Sequence, residues 1–372
     1  MTQFQYYLAV VAGGLALVGL FLPFGVAGEY VTTPLGWPWL GAFYIVTLLV
    51  LAILRGRLHP ALAGLLAIAA GVLLLTGLGA IKEARAGFWV LLLLGWVLAW
   101  LFAERLSAYV RAGRIQADVA AALTPLMLGA AVLVLWEAAT RGGQVPFVIL
   151  PAPSQIWARL VSSVPMLAAD FAQTFLKAVL AGYAMGCGLG FIVAIAIDRS
   201  PFLKKGLLPL GSFVSALPMV GIAPIMVMWF GFDWPSKAAV VVIMTFFPML
   251  VNTVAGLNAS GALERDMMRT YAASYWQTLL KLRLPAAAPF IFNALKINST
   301  LALIGAIVAE FFGTPVVGMG FRISTAVGRM DVDLVWAEIA VAAVAGSVFY
   351  AVVALIERGV TFWHPSVRGG RG

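Results

Sequence analysis

The chain has 372 residues, 63% of them hydrophobic and only 10% charged, with a net charge of +9. A soluble domain carries about 25% charged residues, so a soluble fold of this composition would expose large apolar patches and aggregate. Runs of about 20 apolar residues, apolar on every face, point to membrane-spanning helices and argue against a β-barrel, which alternates polar with apolar.

In chain order, the spans are expected at about 6–26, 36–54, 60–80, 87–103, 119–137, 172–197, 207–231, 238–258, 288–311 and 336–357. The fold class is therefore an all-α polytopic membrane protein with about ten transmembrane helices. Met1 to Tyr7 holds no Lys or Arg, so the first apolar run is read as a retained helix and not as a signal peptide. Residues 1–115 read as a four-helix N-terminal membrane extension with short loops. The basic stretch from Glu104 to Asp118 is the expected boundary with a second region, 116–372.

Orientation follows from the loops. With the N-terminus in the cytoplasm, most of the 24 Lys and Arg residues fall on the inside. The inner set is Arg55 and Arg57; Arg105, Arg111 and Arg114; Arg199, Lys204 and Lys205; Arg265, Arg269, Lys281 and Arg283; and Arg358, Arg368 and Arg371. Both termini are expected in the cytoplasm. The positive charge suits such loops better than it suits nucleic acid. Cys187, the single cysteine, excludes an intrachain disulfide. His59 and His364 lie in basic loops without ligand neighbours, so no metal site is expected.

Within the spans, Gly182, Gly186 and Gly190 repeat every four residues and allow close helix packing, either inside one subunit or against another. Lys177 and Lys296 are charges in apolar runs, which cost about 2.5–3.5 kcal/mol at mid-membrane. Asn293, Lys296 and Thr300 share a helix face, with Glu310 further along. That face suits a wet pathway or a buried helix contact. Pro218 and Pro224 interrupt a further helix around Met219 and free its carbonyls. These eight residues are the translocation-pathway candidates. Asp331 and Asp333 lie outside before the last span, in a solvated loop or a contact surface.

The densest charge lies between the eighth and ninth spans. It reads Glu264-Arg265-Asp266-Met267-Met268-Arg269-Thr270-Tyr271-Ala272-Ala273-Ser274-Tyr275-Trp276 and continues to Leu282-Arg283-Leu284-Pro285. Acids come first and bases last, as a helix dipole favours, and Pro285 is expected to stop or kink the helix. This segment resembles the EAA loop of type I ABC importer permeases. That pattern is Glu-Ala-Ala, three residues, Gly, nine residues, an aliphatic residue, one residue, Leu-Pro. Counting back from Leu284-Pro285 puts Leu282 at the aliphatic position, Ala272 at the glycine and Asp266-Met267-Met268 at Glu-Ala-Ala.

Ala273 to Gln277 is similar to the nitrate, sulfonate, taurine and bicarbonate branch. So are Leu150 to Ser154 with Ile156-Trp157, Pro218 to Gly231, Phe246 to Thr253, and Val308 to Glu310. The resemblance covers about 119–358, which holds the C-terminal six helices of a type I permease, with its core at about 172–358.

The resemblance implies that Glu264, Arg265, Asp266, Arg269, Ala272, Ala273 and Ser274 dock on a separate ABC ATPase, with Leu284 and Pro285 anchoring the docking helix to the next span. It implies a permease subunit in a bacterial inner membrane, fed by a periplasmic solute-binding protein and surrounded by lipid. The solute would be a small anion, a sulfonate or a vitamin precursor. The chain has no Gly-Lys pair, hence no phosphate-binding loop, so ATP and Mg would be held by the partner and no catalytic residue is expected here. One EAA-like loop for two ATPases implies a homodimer. A ten-helix secondary transporter driven by an ion gradient is the competing reading, although such folds show two related halves. An intramembrane enzyme would need a His, Cys or acidic cluster within the spans.

Overall fold

The computed structural model describes residues 3–27, 30–54, 58–200, 202–203, 205–206, 218–313 and 317–363. Arg55, Arg57, Lys204, His364, Arg368, Arg371 and residues 207–217 of the span expected at 207–231 lie outside the described residues. Two compact units, Met1–Trp157 and Ala158–Gly372, make up the chain. The expected boundary at 115/116 falls one helix earlier.

The first unit holds α1 (Gln3–Phe21), α2 (Pro38–Leu54), α3 (Pro60–Ala80), α4 (Ala86–Arg111) and α5 (Ala117–Glu137). Each is an apolar run bounded by polar or turn-forming residues. At the start of α3, His59 Nδ1 accepts the Ala61 amide at 3.2 Å and Pro60 fills the first turn, where a missing N–H costs nothing. Tyr44, Phe24, Phe88, Leu74, Leu91, Leu94 and Leu98 form the buried core. Arg105 is buried at one end of α4, where its Nε donates to the Leu58 carbonyl at 2.8 Å. Along α5 only Glu137 is buried; the helix lies on α3 and α4 with most of its apolar surface open.

Three short strands join the helices at turns where the sequence predicts short loops. They are β1 (Gly25–Ala27), β2 (Tyr30–Thr32) and β3 (Glu83–Ala84), in the order β2-β1-β3, all antiparallel. Val26 opposes Val31, a β-branched pair that suits a pleated ribbon.

The second unit is built around α8 (Leu180–Arg199), α10 (Trp234–Leu257) and α13 (Leu284–Glu310). Before them come α6 (Pro153–Ser162), α7 (Val164–Phe171) and a wide turn, Ala172–Val179, that joins α7 to α8 in one continuous helix. The short α9 is Met219–Phe230, α11 is Ala262–Thr270, α12 is Tyr275–Thr278, α14 is Met319–Gly328 and α15 is Val332–Val360. Gly182, Gly186 and Gly190 carry the contact between α8 and α10. A Cβ on Gly186 would overlap Thr245 Oγ1, and one on Gly190 would meet the Phe246 carbonyl oxygen at 2.5 Å. Backbones this close leave room for hydrogen only. Asn298 on α13 ties the three helices together, donating to the Thr245 carbonyl at 2.8 Å and Cys187 Sγ at 3.2 Å.

Among the described residues, eight helices are long and apolar enough to cross a membrane, and α2 and the Gly221–Phe230 part of α9 are shorter apolar helices. The architecture is all-α with a few strand residues, as the composition requires.

Candidate functional site

The charged segment folds as an elbow. α11 places Glu264 in its first turn and Arg269 in its last, each matched to the dipole, and none of its residues is buried. The Asp266–Arg269 pair, 3.5 Å apart and largely exposed, contributes little. Tyr271 and Ala272 then turn the chain, with the Ala272 amide bonded to the Arg269 carbonyl and the Ala273 amide to that of Met268. Ser274 restarts the helix through a capping box: its Oγ accepts the Gln277 amide at 3.3 Å, and Gln277 Oε1 accepts the Ser274 amide at 2.8 Å.

Ala272 stands at the glycine position of the EAA pattern and has φ +52°. The left-handed region is what that glycine supplies freely, and an alanine there costs roughly 1–2 kcal/mol. Ala272→Gly is therefore expected to stabilise the turn by about 1 kcal/mol. Slower hydrogen exchange at residues 271–275 would register it.

Pro285 does not stop the helix. Tyr275–Glu310 runs as one 36-residue helix, about 54 Å long at 1.5 Å per residue. A wide turn at Leu279–Arg283 shifts the ladder, with the Leu284 amide reaching Leu279, just before the residue that has no N–H to donate.

Side chains absent from the expected set pin this elbow. Arg283 clasps Asp198, at the end of α8, with two bonds of 2.7 Å, and its Nε donates to the Leu257 carbonyl at the end of α10 at 3.0 Å. Tyr275 donates to the same carboxylate at 3.0 Å, and Arg199 lies over the Tyr275 ring at 5.6 Å. Asp198 and Arg283 keep only 8% and 13% of their side-chain exposure, so the pair is screened little by water. Facing outward, Leu263, Met267 and Tyr271 recur every four residues and are 85%, 54% and 80% exposed. An apolar stripe on a charged helix is what a partner's groove would cover.

At the opposite end of α13, Glu310 is buried and joins a different arrangement. The first amides of α14 are capped from three other elements: Gly318 by Asp170 of α7 at 2.6 Å, Met319 by Thr174 at 2.8 Å and Gly320 by Glu310 at 2.7 Å. Arg322 closes the ring on Asp170 at 2.8 Å. Lys237, also buried, donates to the carbonyls of Phe232 and Gly313. Asp233 caps α10 and accepts from Gln173 at 2.7 Å; the Trp234 amide and the Gln173 side chain hold its carboxyl below the usual carboxylate range.

The remaining pathway candidates separate. Asn293 and Thr300 lie on an exposed face of α13 beside Phe290, Ile297 and Ile304. Lys296 turns away to Glu357 of α15 at 2.7 Å. Lys177 bonds Gln173 at 2.9 Å. Pro218 caps α9, Met219 opens it, and Pro224 is exposed on it. Asp331 and Asp333 both lie 3.9 Å from Arg159.

The family described as the binding-protein-dependent transport system inner membrane component matches residues 186–362. The probable ABC transporter permease protein of Haemophilus influenzae is 32% identical over 217 residues, covering 58% of this chain and 88% of the relative. The formylaminopyrimidine transport permease protein ThiX of Halalkalibacterium halodurans is 30% identical over 246 residues, with 65% and 96% covered. The putative aliphatic sulfonates transport permease protein SsuC of Bacillus subtilis is 28% identical, with 66% and 88% covered. Taken with a helical fold that can cross a membrane many times, these matches place the chain in the family of inner membrane components of binding-protein-dependent ABC transporters, as a multi-pass permease.

Proposed function

We propose that this permease forms the solute pathway of an ATP-driven importer and is coupled to a separate ATPase through the elbow at 262–285. The observation that carries this reading is the elbow's construction. An unburied apolar stripe on α11 is available to a partner, while Arg283 and Asp198 fix its base to the ends of α8 and α10. From that base one helix continues to Glu310, which caps α14. A push on α11 would thus reach the opposite end of the unit through a rigid element. In this reading the elbow and both termini are cytoplasmic, ATP and Mg stay on the partner, and two copies of the chain present two elbows to two ATPases. A periplasmic binding protein delivers the solute. The relatives named for formylaminopyrimidine and aliphatic sulfonates support a vitamin-precursor or small-anion solute. Asn293 and Thr300, on the open face of α13, are the residues offered to the pathway.

The test is uptake into proteoliposomes holding the chain, its ATPase and its binding protein, with formylaminopyrimidine and an aliphatic sulfonate as probes. ATP-dependent uptake of one probe that survives collapse of ion gradients is expected. Uptake that follows a sodium or proton gradient without ATP would overturn the reading. If the binding protein stimulates ATP hydrolysis but neither probe moves, the solute class alone is overturned.

A further inference from the structure

A cavity of about 340 Å³ opens in the first unit where α3 and α5 end. Lys82 and Arg141 line it with Gln144 and Gln155, and Leu78 and Ile81 are part of its apolar wall. No Asp or Glu is among its lining residues. It lies ahead of the family match at 186–362 and takes no part in the elbow or the pathway described above.

The polar side chains are held in place with donors to spare. Glu137 is buried, and its carboxylate accepts the Ser154 amide at 2.9 Å and the Ser154 hydroxyl at 2.7 Å. That fixed carboxylate takes Nη1 of Arg141 at 3.1 Å. Nε and Nη2 of Arg141 bond nothing among the described residues, and the side chain stays 42% exposed. Gln155 Oε1 accepts the Ala152 amide at 2.8 Å, which leaves its Nε2 to donate elsewhere. Gln144 Nε2 donates to the Lys82 carbonyl at 3.0 Å and so ties the loop after α5 to the loop after α3. The Lys82 ammonium has no bond or ion pair among the described residues, because the adjacent acid, Glu83, pairs with Arg85 at 3.1 Å. Helix C-termini attract cations, yet no described carbonyl accepts from either side chain.

We propose that Lys82 and Arg141 form a site for a phosphate-type oxyanion, the group that an anionic phospholipid headgroup and free phosphate share. The open edge of the guanidinium offers paired N–H groups to two oxygens, and the ammonium adds a point charge from the other loop. A bound oxyanion would bridge the two loops. Both α3 and α5 belong to helices long enough to cross a membrane, so their ends lie where headgroups lie.

The purified full-length chain in detergent tests this in two arms. Native mass spectrometry follows the first phosphatidylglycerol bound, and calorimetry follows inorganic phosphate. Binding is expected in at least one arm, weakened at least about tenfold by Lys82→Gln combined with Arg141→Gln. Arg85→Gln, which removes a neighbouring charge that does not line the cavity, should change it less than about twofold. Binding in the lipid arm makes a headgroup the ligand, and binding in the phosphate arm makes the free ion one. No binding in either arm would overturn the proposal. So would binding that Arg85→Gln weakens as much as Lys82→Gln does. Lys82 is exposed and unbonded, so Lys82→Glu alone decides the matter where the double variant does not fold. It should weaken binding at least as much as Lys82→Gln, and unchanged binding in it would contradict the site.

Discussion

Arg283→Ala is expected to lower the stability of the permease unit by about 3 kcal/mol and to uncouple ATP hydrolysis from uptake. The guanidinium makes two 2.7 Å bonds to Asp198 and a third bond to the Leu257 carbonyl, so its loss frees the elbow from α8 and α10 together. It also leaves Asp198, nearly buried, with Tyr275 as its remaining side-chain donor among the described residues. An uncompensated carboxylate at that depth is what makes removal of one partner costly. Arg283→Lys should fall between, since an ammonium cannot reproduce the two-pronged grip. The double variant Asp198→Ala/Arg283→Ala should be less destabilised than the sum of the single variants, because no lone charge is left behind. Thermal unfolding in nanodiscs gives the stability term. Solute moved per ATP hydrolysed in the assembled complex gives the coupling, which should drop at least about tenfold if the loosened elbow is favoured by more than ~1.4 kcal/mol. Wild-type stability in Arg283→Ala would remove the clamp from the account.

The second large effect belongs to the outward face of the elbow. Met267→Asp combined with Tyr271→Asp is expected to abolish co-purification of the ATPase while leaving insertion and thermal stability unchanged. Neither side chain contributes to the unit's interior, so the fold has little to lose. A partner's apolar groove would have to bury two carboxylates instead, at several kcal/mol each. Asp266→Ala with Arg269→Ala should weaken association less, because that pair is exposed and joined only at 3.5 Å. Equal losses from both double variants would mean that charge dominates the docking, with the apolar stripe secondary.

The helices were legible because lipid imposes one pattern: long apolar runs whose backbone bonds stay internal. The turn at Ala272 was legible too, through spacing, even though the residue there is not the glycine that the pattern supplies. What spacing could not give was the long-range pairing. Asp198 and Arg283 are 85 positions apart, and nothing local to either one names the other. Asp170 and Arg322 are 152 apart. A partial signal did exist for Glu357. It is an acid inside the expected last span, where a charge is as conspicuous as Lys177 or Lys296. The reading that Pro285 stops the helix failed for a different reason. A wide helical turn can absorb a missing donor, and the sequence does not announce where such a turn forms. The short strands went unseen because runs of two or three residues carry no measurable periodicity.

The most direct measurement is site-specific: a single cysteine at position 267, in a background without Cys187, probed in sealed vesicles of known orientation. A membrane-impermeant thiol reagent should reach it from the cytoplasmic side only. A short bifunctional reagent should join it to the ATPase, with labelling suppressed when the ATPase is bound. Labelling from the periplasmic side, or unhindered labelling with the ATPase bound, would contradict cytoplasmic docking of the elbow.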